Sequence, residues 1–447
     1  MYITEEIELT FLNVEVGGVP DTIEILLDCE AKGHELSEQR PPSIYMVPRI
    51  LPDLSPRSFE PRVVSIGPLH RENKTLQEIE AQKATYLHHL LKRLSDQPRK
   101  ILDACLQRVN ASIPAIRACY SGMMTYTDAE LAKMMVIDAC FILEFLFPSE
   151  EHGFLIFRNV SLTHSISSDL VLLENQIPFF VLQDIFDCTL LKLPTIPSLC
   201  LTSNVLERLQ FLNPFEVNET YVVHTTPPPP PHILGLLQTS FHPTVNTENP
   251  SICPSSPMHS HSAIELDQVG VKFKPNEDGE WSMSIDFSSS WFACFFWCCG
   301  NSTLKMPVMH IYDNTEIFLR NIIAYEQCTQ GVPNYVTSYA CAIDYLVDTT
   351  EDVSMLVKSK VLTNHLGSNE DATNMINNIV KGVTFMEFYY LAQWKQLDGF
   401  YNGCWPKNIA WLKRTYFNSP WNAIALLAGI VLFALTIIQT IYAIKAK

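Results

Sequence analysis

Three carboxylic acids in apolar surroundings are the residues of this sequence best suited to chemistry. Asp138 and Glu144 lie in a stretch that is otherwise almost free of charge, and Glu174 follows the apolar residues 170–173. Burial disfavours the charged form of a carboxyl group and raises its pKa towards neutrality, as a general acid or base requires. If the fold brings these acids together, they could act as the acid–base pair of a membrane-associated hydrolase.

A structural role is the alternative for the same residues. Buried acids more often accept hydrogen bonds from the backbone, or pair with arginine, than take part in catalysis. Asn175 and Gln176 directly follow Glu174 and favour this second interpretation. We therefore expect a buried polar network formed by Asp138, Glu144, Glu174, Asn175 and Gln176.

The common local signatures of catalysis are missing from the sequence. It contains no GxGxxG, GxxxxGK(S/T), GxSxG or HExxH motif. A catalytic group assembled from distant residues would leave no such trace, so this evidence is of moderate weight. We predict that the chain is not an enzyme and that it has no catalytic, cofactor-binding or metal-binding residues.

The acids are expected to lie on helices. Apolar spacing predicts one helix over about 128–147 and another that begins at 169 and continues past Pro178 to 186. Both are apolar on nearly every side, as is typical of helices at the centre of a bundle. An earlier amphipathic helix is predicted to begin with a capping box formed by Thr75 and Glu78.

Short strands are expected later in the chain, within 271–287 and 306–312. Between them, the run Trp291–Cys299 is too short to cross a bilayer and fits a buried strand or an edge hairpin. A membrane-dipping segment or an acylated cysteine is the alternative. The predicted fold class is mainly α with a small β element (α+β), completed by one C-terminal transmembrane helix.

The composition excludes some classes of partner and site. The chain carries 31 basic and 48 acidic residues, a net charge of −17, and has no long basic stripe, so phosphate backbones would be repelled and no nucleic-acid partner is expected. Its 13 cysteines include no CxxC pair, which indicates neither a disulfide framework nor a zinc ribbon.

Changes in composition divide the chain into successive parts. The 214–262 part holds the run Pro227–Pro231 and no lysine or arginine, which favours a semi-rigid spacer; a ligand for proline-recognition modules is the alternative. The expected parts are an N-terminal extension (1–42), a helical part (43–213), a proline-rich insert or linker (214–262), a part with short strands and then helices (263–417), and a transmembrane helix (421–444).

The last of these parts carries no charged side chain. As a helix it would extend over roughly 36 Å, more than the ~30 Å hydrocarbon core of a bilayer. Aromatic residues stand near both ends, where their rings favour the headgroup region. A long buried core helix is the alternative. We predict a single-pass anchor in the lipid bilayer, marked by Trp421, Ile430, Phe433, Gln439, Tyr442 and Ile444.

The side of the membrane that holds the body is harder to predict. The start of the chain has neither the basic region nor the apolar region of a signal peptide. Insertion after synthesis is therefore expected, with a cytosolic body and the plasma membrane as the location. Basic residues are nearly balanced on the two sides of the anchor, so charge leaves its orientation open.

Several blocks of the sequence resemble the plant domain-of-unknown-function-247 family, in order and over nearly the whole chain. The resemblance implies a plant membrane protein with one C-terminal span and no established enzymatic activity, and it transfers no catalytic residue. Some grass relatives act in self-incompatibility, a recognition process. The blocks include Ile44–Pro48, Glu60–His70, Met135–Glu144, Asp169–Phe180, Asn321–Cys328 and Ser419–Trp421.

Two functions from different classes follow from these observations. The first is a membrane-anchored recognition or scaffold protein that binds other proteins, in signalling or in recognition of the self-incompatibility type. The second is the hydrolase that uses buried carboxylates. Deep, hydrogen-bonded positions for Asp138 and Glu174 would favour the first, and an open pocket containing both acids would favour the second.

Overall fold

The computed structural model describes residues 41–94, 97–122, 124–148, 159–193, 200–215, 229–243, 251–252, 260–276, 281–289, 302–384, 387–403 and 420–445. Over these ranges the chain is mainly helical, with three small sheets. The prediction of a mainly α fold with a small β element is confirmed.

Helices and short 3-10 turns make up the first half of the described chain. The α-helices are α1 (Ile50–Leu54), α2 (Gln77–Leu94), α3 (Pro98–Ala111), α4 (Ile113–Ala118), α5 (Asp128–Leu146), α6 (Val160–Asp169), α7 (Phe179–Cys188), α8 (Leu201–Leu209) and α9 (Ile233–Thr239). The 3-10 turns are Pro56–Ser58, Lys74–Leu76, Leu190–Lys192 and Gln210–Leu212.

Strands and helices are mixed in the second half. The helices are α10 (Ala263–Gln268), α11 (Thr315–Cys328), α12 (Tyr335–Leu346), α13 (Thr350–Lys358), α14 (Asn369–Ile379), α15 (Leu391–Tyr401) and α16 (Pro420–Lys445). The strands are β1 (Ser251–Ile252), β2 (Val271–Pro275), β3 (Asp286–Ser288), β4 (Ser302–Met306), β5 (Met309–Ile311), β6 (Leu362–Asn364) and β7 (Glu387–Phe388).

The strands form three separate small sheets. In the largest, β4 lies between β2, which is parallel to it, and β3, which is antiparallel. The strands β5 and β6 pair in parallel, and β1 pairs with β7 in antiparallel orientation. The strands predicted within 271–287 and 306–312 are confirmed. The run Trp291–Cys299 lies outside the described residues.

Helix α5 is at the centre of the first half. A capping box starts it: Thr127 accepts a hydrogen bond from the Glu130 N–H, and Glu130 accepts one from the Thr127 N–H at 2.9 Å. Almost every side chain from Leu131 onward is buried, against α2, α3 and α7. The helix predicted over 128–147 is therefore confirmed, and its burial on all sides explains why it is apolar all round.

The apolar core is continuous between the two halves. The ring of Phe215 lies 4.9 Å from that of Tyr339, and the ring of Phe241 lies 6.2 Å from that of Phe318. Helix α9 also belongs to this core, although it falls within the range expected to be an insert or linker. Backbone hydrogen bonds hold this stretch in place, among them Phe179 N–H to the Pro231 carbonyl at 2.8 Å.

Two helices differ from the prediction. Helix α2 follows a 3-10 turn that is capped by Asn73, whose side chain accepts from the Thr75 N–H, so the capping box predicted at Thr75 is wrong. The helix predicted from 169 to 186 is also wrong, because α6 ends at Asp169 and α7 begins only after Pro178. Proline lacks an N–H and disfavours a helical residue before it, which separates the two helices.

The C-terminal segment is helical, but the predicted membrane span is contradicted. In the part of the chain that the structure describes, no helix is both long and apolar enough to cross a membrane. The predicted transmembrane helix and the single-pass membrane location that rested on it are therefore corrected.

The structure describes the side chains of three of the six residues predicted to mark the anchor. Phe433 and Ile444 are 69% and 71% exposed, and Gln439 is exposed as well. The side chains of Trp421, Ile430 and Tyr442 lie outside the described set. Hydroxyl groups on α16 bond to helix carbonyls four residues earlier, at 2.8 Å in each case, so these polar groups are satisfied within the helix.

Candidate functional site

An extended segment, residues 62–70, crosses the first half of the molecule and is called the strap here. It follows Pro61 and contains Pro68, and it belongs to no sheet, so its backbone N–H groups need other acceptors. Asp169, at the end of α6, supplies the first. Its two carboxylate oxygens accept from three successive N–H groups, those of Arg62, Val63 and Val64, at 3.0, 2.7 and 2.9 Å.

The next part of the strap is held by Asn175 and Asp138. The Asn175 side chain accepts from the Ile66 N–H at 2.6 Å and donates to the Val64 carbonyl at 3.0 Å, like the neighbouring strand of a sheet. Asp138 accepts from the Gly67 N–H at 2.8 Å. Both side chains are fully buried, so these bonds form in surroundings where an unmade bond would be costly.

A buried lysine completes the central part of the network. Lys83 has no exposed surface, and its ammonium group donates to Asp138 Oδ1 at 2.6 Å and to the Ser65 carbonyl at 2.5 Å. It also forms an ion pair with Glu80, 2.8 Å from Oε2. The Arg71 guanidinium pairs with Glu80 and lies 3.5 Å from Asp138. Two cations therefore face two carboxylates, which balances the charge of the buried group.

Glu174 and Gln176 hold the strap and its surroundings at the other end. Glu174 accepts from the Val47 N–H at 2.7 Å and lies 2.9 Å from the His70 ring nitrogen. The Gln176 amide donates to the carbonyls of Leu170 and Leu172 at 2.7 and 2.8 Å. These side-chain bonds replace the bonds of a helix in the stretch between α6 and α7.

Gly67 allows the strap to approach this stretch closely. Its φ of +74° is in the left-handed region, and a Cβ placed there would be 2.5 Å from the Gln176 carbonyl oxygen. The Tyr120 hydroxyl donates to the same oxygen at 3.0 Å. A side chain at position 67 would be strained by its backbone conformation and would collide with a fixed carbonyl.

Of the predicted network residues, the structure brings together Asp138, Glu174, Asn175 and Gln176 around the strap. Glu144 lies elsewhere, where it pairs with Arg93 at 2.7 Å. The role of Lys83 was not predicted, because a lysine on an amphipathic helix normally extends into solvent. Asp169 was predicted to start a helix, although this residue ends one. The one sequence feature that pointed to a role for Asp169 was its position at the start of the block Asp169–Phe180, which resembles the plant family.

Burial changes the acidity of two carboxyl groups. The pKa of Asp169 is raised to about 6 because burial outweighs the three backbone N–H bonds that favour the charged form. The pKa of Glu326, on α11, is raised to about 7 for the same reason. The Glu326 carboxylate reaches the start of α12, where it accepts from the N–H groups of Val336 and Thr337 at 3.2 and 2.8 Å and so caps that helix.

A small cleft opens beside the network, at the Asp169 end. Its volume is about 90 Å³, and its walls come from the residues before and at the start of the strap, from α6 and from the start of α11. Asp169 is on its wall, whereas Asp138 and Glu174 are not among the lining residues. Those two acids are hydrogen-bonded to the backbone and therefore have no access to a substrate in this cleft.

Next to the cleft, two apolar side chains and a histidine form an exposed patch, called the α6 patch here: Val160, Phe211 and His164. Val160 and His164 are four residues apart on α6 and so share a face. Val160 is 74% exposed and Phe211 is 48% exposed, and the rings of His164 and Phe211 are 5.7 Å apart.

Over the described residues, no group of three His, Cys, Asp or Glu side chains has the arrangement of a metal site.

Comparisons with known proteins agree with the family resemblance. The UPF0481 protein At3g47200 of Arabidopsis thaliana is 29% identical over 438 residues, which cover 90% of this chain and 86% of that protein. The putative UPF0481 protein At3g02645 of the same plant is 25% identical over 507 residues, which cover 92% of each chain. No solved structure gives a significant match.

The family described as DUF247, plant protein of unknown function, matches residues 44–435. This range includes the strap, Asp138, Asp169 and the residues that form the α6 patch. Since it covers far more than half of the sequence, the chain belongs to this family of plant proteins, whose function is unknown.

Proposed function

We propose that this protein is a recognition or scaffold protein that binds another protein, and that the α6 patch takes part in the contact. The observation that carries the proposal is the exposure of Phe211 and Val160, each of which neighbours His164. Exposed apolar residues that stand alone are normal on a protein surface, but an aromatic ring with an apolar neighbour is typical of the energetic centre of an interface.

The framework beneath the patch supports the same proposal. Asp169, at the last turn of α6, is fixed by three backbone N–H groups of the strap, and Asn175 donates to the Asp169 carbonyl at 2.9 Å. A surface held in one conformation loses less conformational entropy when a partner binds. The network thus has a use in recognition that needs no proton transfer.

The positions of Asp138 and Glu174 weigh against the hydrolase alternative. A general base needs a lone pair directed at a substrate or at a water molecule. The Asp138 oxygens face the Gly67 N–H, Lys83 and Arg71, and the Glu174 oxygens face the Val47 N–H and His70. Their arrangement is that of acceptors that hold the backbone.

The proposal can be tested by proximity labelling of the full-length chain in plant cells. A fused biotin ligase labels neighbouring proteins in cells that express the wild type, the double variant Val160→Ser/Phe211→Ser, or the control Leu191→Ser. Leu191 is a fair control because it is 46% exposed, close to the value for Phe211, and is not part of the patch. Mass spectrometry identifies the labelled proteins in each case.

We expect at least one protein to be labelled by the wild type and by the control variant but not by the patch variant. Binding of that purified protein should weaken about 30-fold or more in the patch variant, since a hot-spot residue contributes ~2 kcal/mol. Identical labelling by all three chains, or equal loss in the patch and control variants, would refute the proposal.

A further inference from the structure

The cleft beside Asp169 has walls from three parts of the chain that are distant in sequence. Arg57 and Glu60 precede the strap and Arg62 is its first residue, Ser168 is on α6, and Asn314 directly precedes α11. The strap network fixes two of these walls, because Asp169 binds the Arg62 N–H at 3.0 Å. The shape of the cleft is thus set by the fold.

Two arginines face the cleft with their charges available. Both Arg57 and Arg62 are exposed, and neither guanidinium lies within ion-pair distance of a carboxylate in the described part of the chain. The Arg62 side chain donates to the Arg57 carbonyl at 3.2 Å, which leaves its other N–H groups for another acceptor. Guanidinium groups bind carboxylates through paired hydrogen bonds.

Two carboxylates line the same cleft without a cationic partner. Glu60 and Asp313 are exposed, and no salt bridge to either is found among the described residues. The third acid, Asp169, has both oxygens engaged by the strap. Two cations and three carboxylates thus line the cleft, so it presents charges of both signs to a ligand, which favours neither a purely anionic nor a purely cationic one.

Asn314 provides an independent indication of a ligand. Asn314 lines the cleft and is only 8% exposed. In the described part of the chain its side chain makes no hydrogen bond, not even the cap that its position at the start of α11 would allow. The amide atoms of Asn314 are open to the cleft, so they are able to hydrogen-bond to a polar molecule there. A polar molecule in the cleft would supply the missing partner.

The volume of the cleft limits the size of that molecule. A space of about 90 Å³ corresponds to roughly six to nine water-sized positions, since one water needs ~10–15 Å³ of such volume. Alanine and serine, with their few non-hydrogen atoms, are of this size. Larger amino acids would have to extend their side chains out of the cleft.

We propose that this cleft binds a small zwitterion, a free α-amino acid about the size of alanine or serine. Its carboxylate lies between Arg57 and Arg62, its ammonium group faces Glu60 and Asp313, and the Asn314 amide bonds to its polar atoms. This inference is independent of the protein partner proposed above, because the α6 patch and the charged residues of the cleft are tested by different variants.

Calorimetric titration of the purified full-length chain at neutral pH tests the proposal. The probes are L-alanine, propionate, which lacks the ammonium group, ethylamine, which lacks the carboxylate, and inorganic phosphate. The variants are Arg57→Gln, Arg62→Gln, Asn314→Ala and Glu60→Gln. The matched control is Arg99→Gln, because Arg99 is also an exposed arginine, lies on α3 and does not line the cleft.

We expect alanine to bind the wild type and the Arg99 variant equally, and each arginine variant about tenfold or more weakly, as for the loss of a charge-assisted hydrogen bond. Propionate and ethylamine should each bind at least tenfold more weakly than alanine. Glu60→Gln should weaken alanine while leaving propionate unchanged, a pattern that misfolding cannot produce.

Three results would overturn the proposal. The first is the absence of alanine binding at millimolar concentration. The second is binding of phosphate or propionate as tight as that of alanine, which would indicate a simple anion site. The third is an equal loss of alanine binding in the Arg99 control and in the cleft variants.

Discussion

The buried pair of Lys83 and Asp138 offers the sharpest test of the role assigned to the network. Neither side chain has any exposed surface, and their charged atoms are 2.6 Å apart. The substitution Asp138→Asn removes the negative charge and nearly keeps the shape. The new amide oxygen can still accept from the Gly67 N–H, so the change acts mainly on the partner of Lys83.

The size of the effect follows from burial. Removing one partner of a buried ion pair typically costs about 3–5 kcal/mol, because the remaining charge stays away from water. Lys83 keeps its contacts with Glu80 at 2.8 Å and with the Ser65 carbonyl at 2.5 Å. We therefore expect the lower end of this range, a loss of ~3 kcal/mol in the free energy of unfolding.

Urea titration followed by circular dichroism and by tryptophan fluorescence, to which the buried Trp281 and Trp394 contribute, measures this loss. The control is Asp184→Asn, which breaks a surface pair with Arg108 at 3.0 Å. Those two side chains are 30% and 48% exposed, so this change should cost only about 0–1 kcal/mol. The contrast between the two variants isolates the effect of burial.

A double-mutant cycle decides whether the pair acts as a unit. Lys83→Met alone leaves Asp138 charged, whereas the double variant leaves neither charge at this site. We expect the double variant to be more stable than the sum of the two losses implies, by about 1–3 kcal/mol. The reasoning fails if the losses simply add, or if Asp138→Asn costs no more than the surface variant.

Two further predictions concern the strap and the start of α12. Gly67→Ala should destabilise the protein by more than ~2 kcal/mol, since left-handed strain of ~1–2 kcal/mol is joined by the collision with the Gln176 carbonyl; in Gly331→Ala, which has a φ of +81° and open space around it, only the strain should remain. The pKa of Glu326, raised to about 7 from 4.5, means that the folded protein holds this proton more tightly than the unfolded chain. The contribution of protonated Glu326 to the free energy of unfolding is therefore complete below pH 4.5 and is lost as the pH rises towards about 7. This change is of order 3 kcal/mol, and Glu326→Gln should remove it.

Urea titrations check both predictions, and the second requires them at several pH values between 4.5 and about 7. The pKa values of Asp169 and His232 are also shifted by burial, so the pH dependence of the wild type has several sources. The informative quantity is the difference in the free energy of unfolding between the wild type and Glu326→Gln at each pH. Equal losses in the two glycine variants would contradict the proposed close approach. A pH dependence that Glu326→Gln leaves unchanged would contradict the role given to this acid.

Local patterns predicted the elements that depend on their own residues. The central helix α5 was predicted within one residue because its apolar spacing runs through the whole segment. The predicted helix over 169–186 is not formed as one helix, because it depends on distant groups as well as on Pro178. Asp169, Asn175 and Gln176 bond to the backbone of the strap and of their own stretch, and such partners are not visible in sequence spacing.

The candidate sites show the same division. The buried carboxylates and the amides beside Glu174 could be picked out because polar residues in apolar stretches are conspicuous. Lys83 and the cleft could not, since the exposure of a charged side chain depends on what packs over it. The cleft joins residues as far apart as Arg57 and Asn314 in sequence, which no local motif connects.

The sequence by itself determined the family, the mainly helical class and the residues that had to be buried, because composition and periodicity are properties of the chain alone. The tertiary structure decided what the buried acids do. They hold the strap, because a segment outside any sheet needs side-chain acceptors for its N–H groups. For the apolar C-terminal segment, length and hydropathy predicted a membrane span, whereas among the described residues no helix is both long and apolar enough for one.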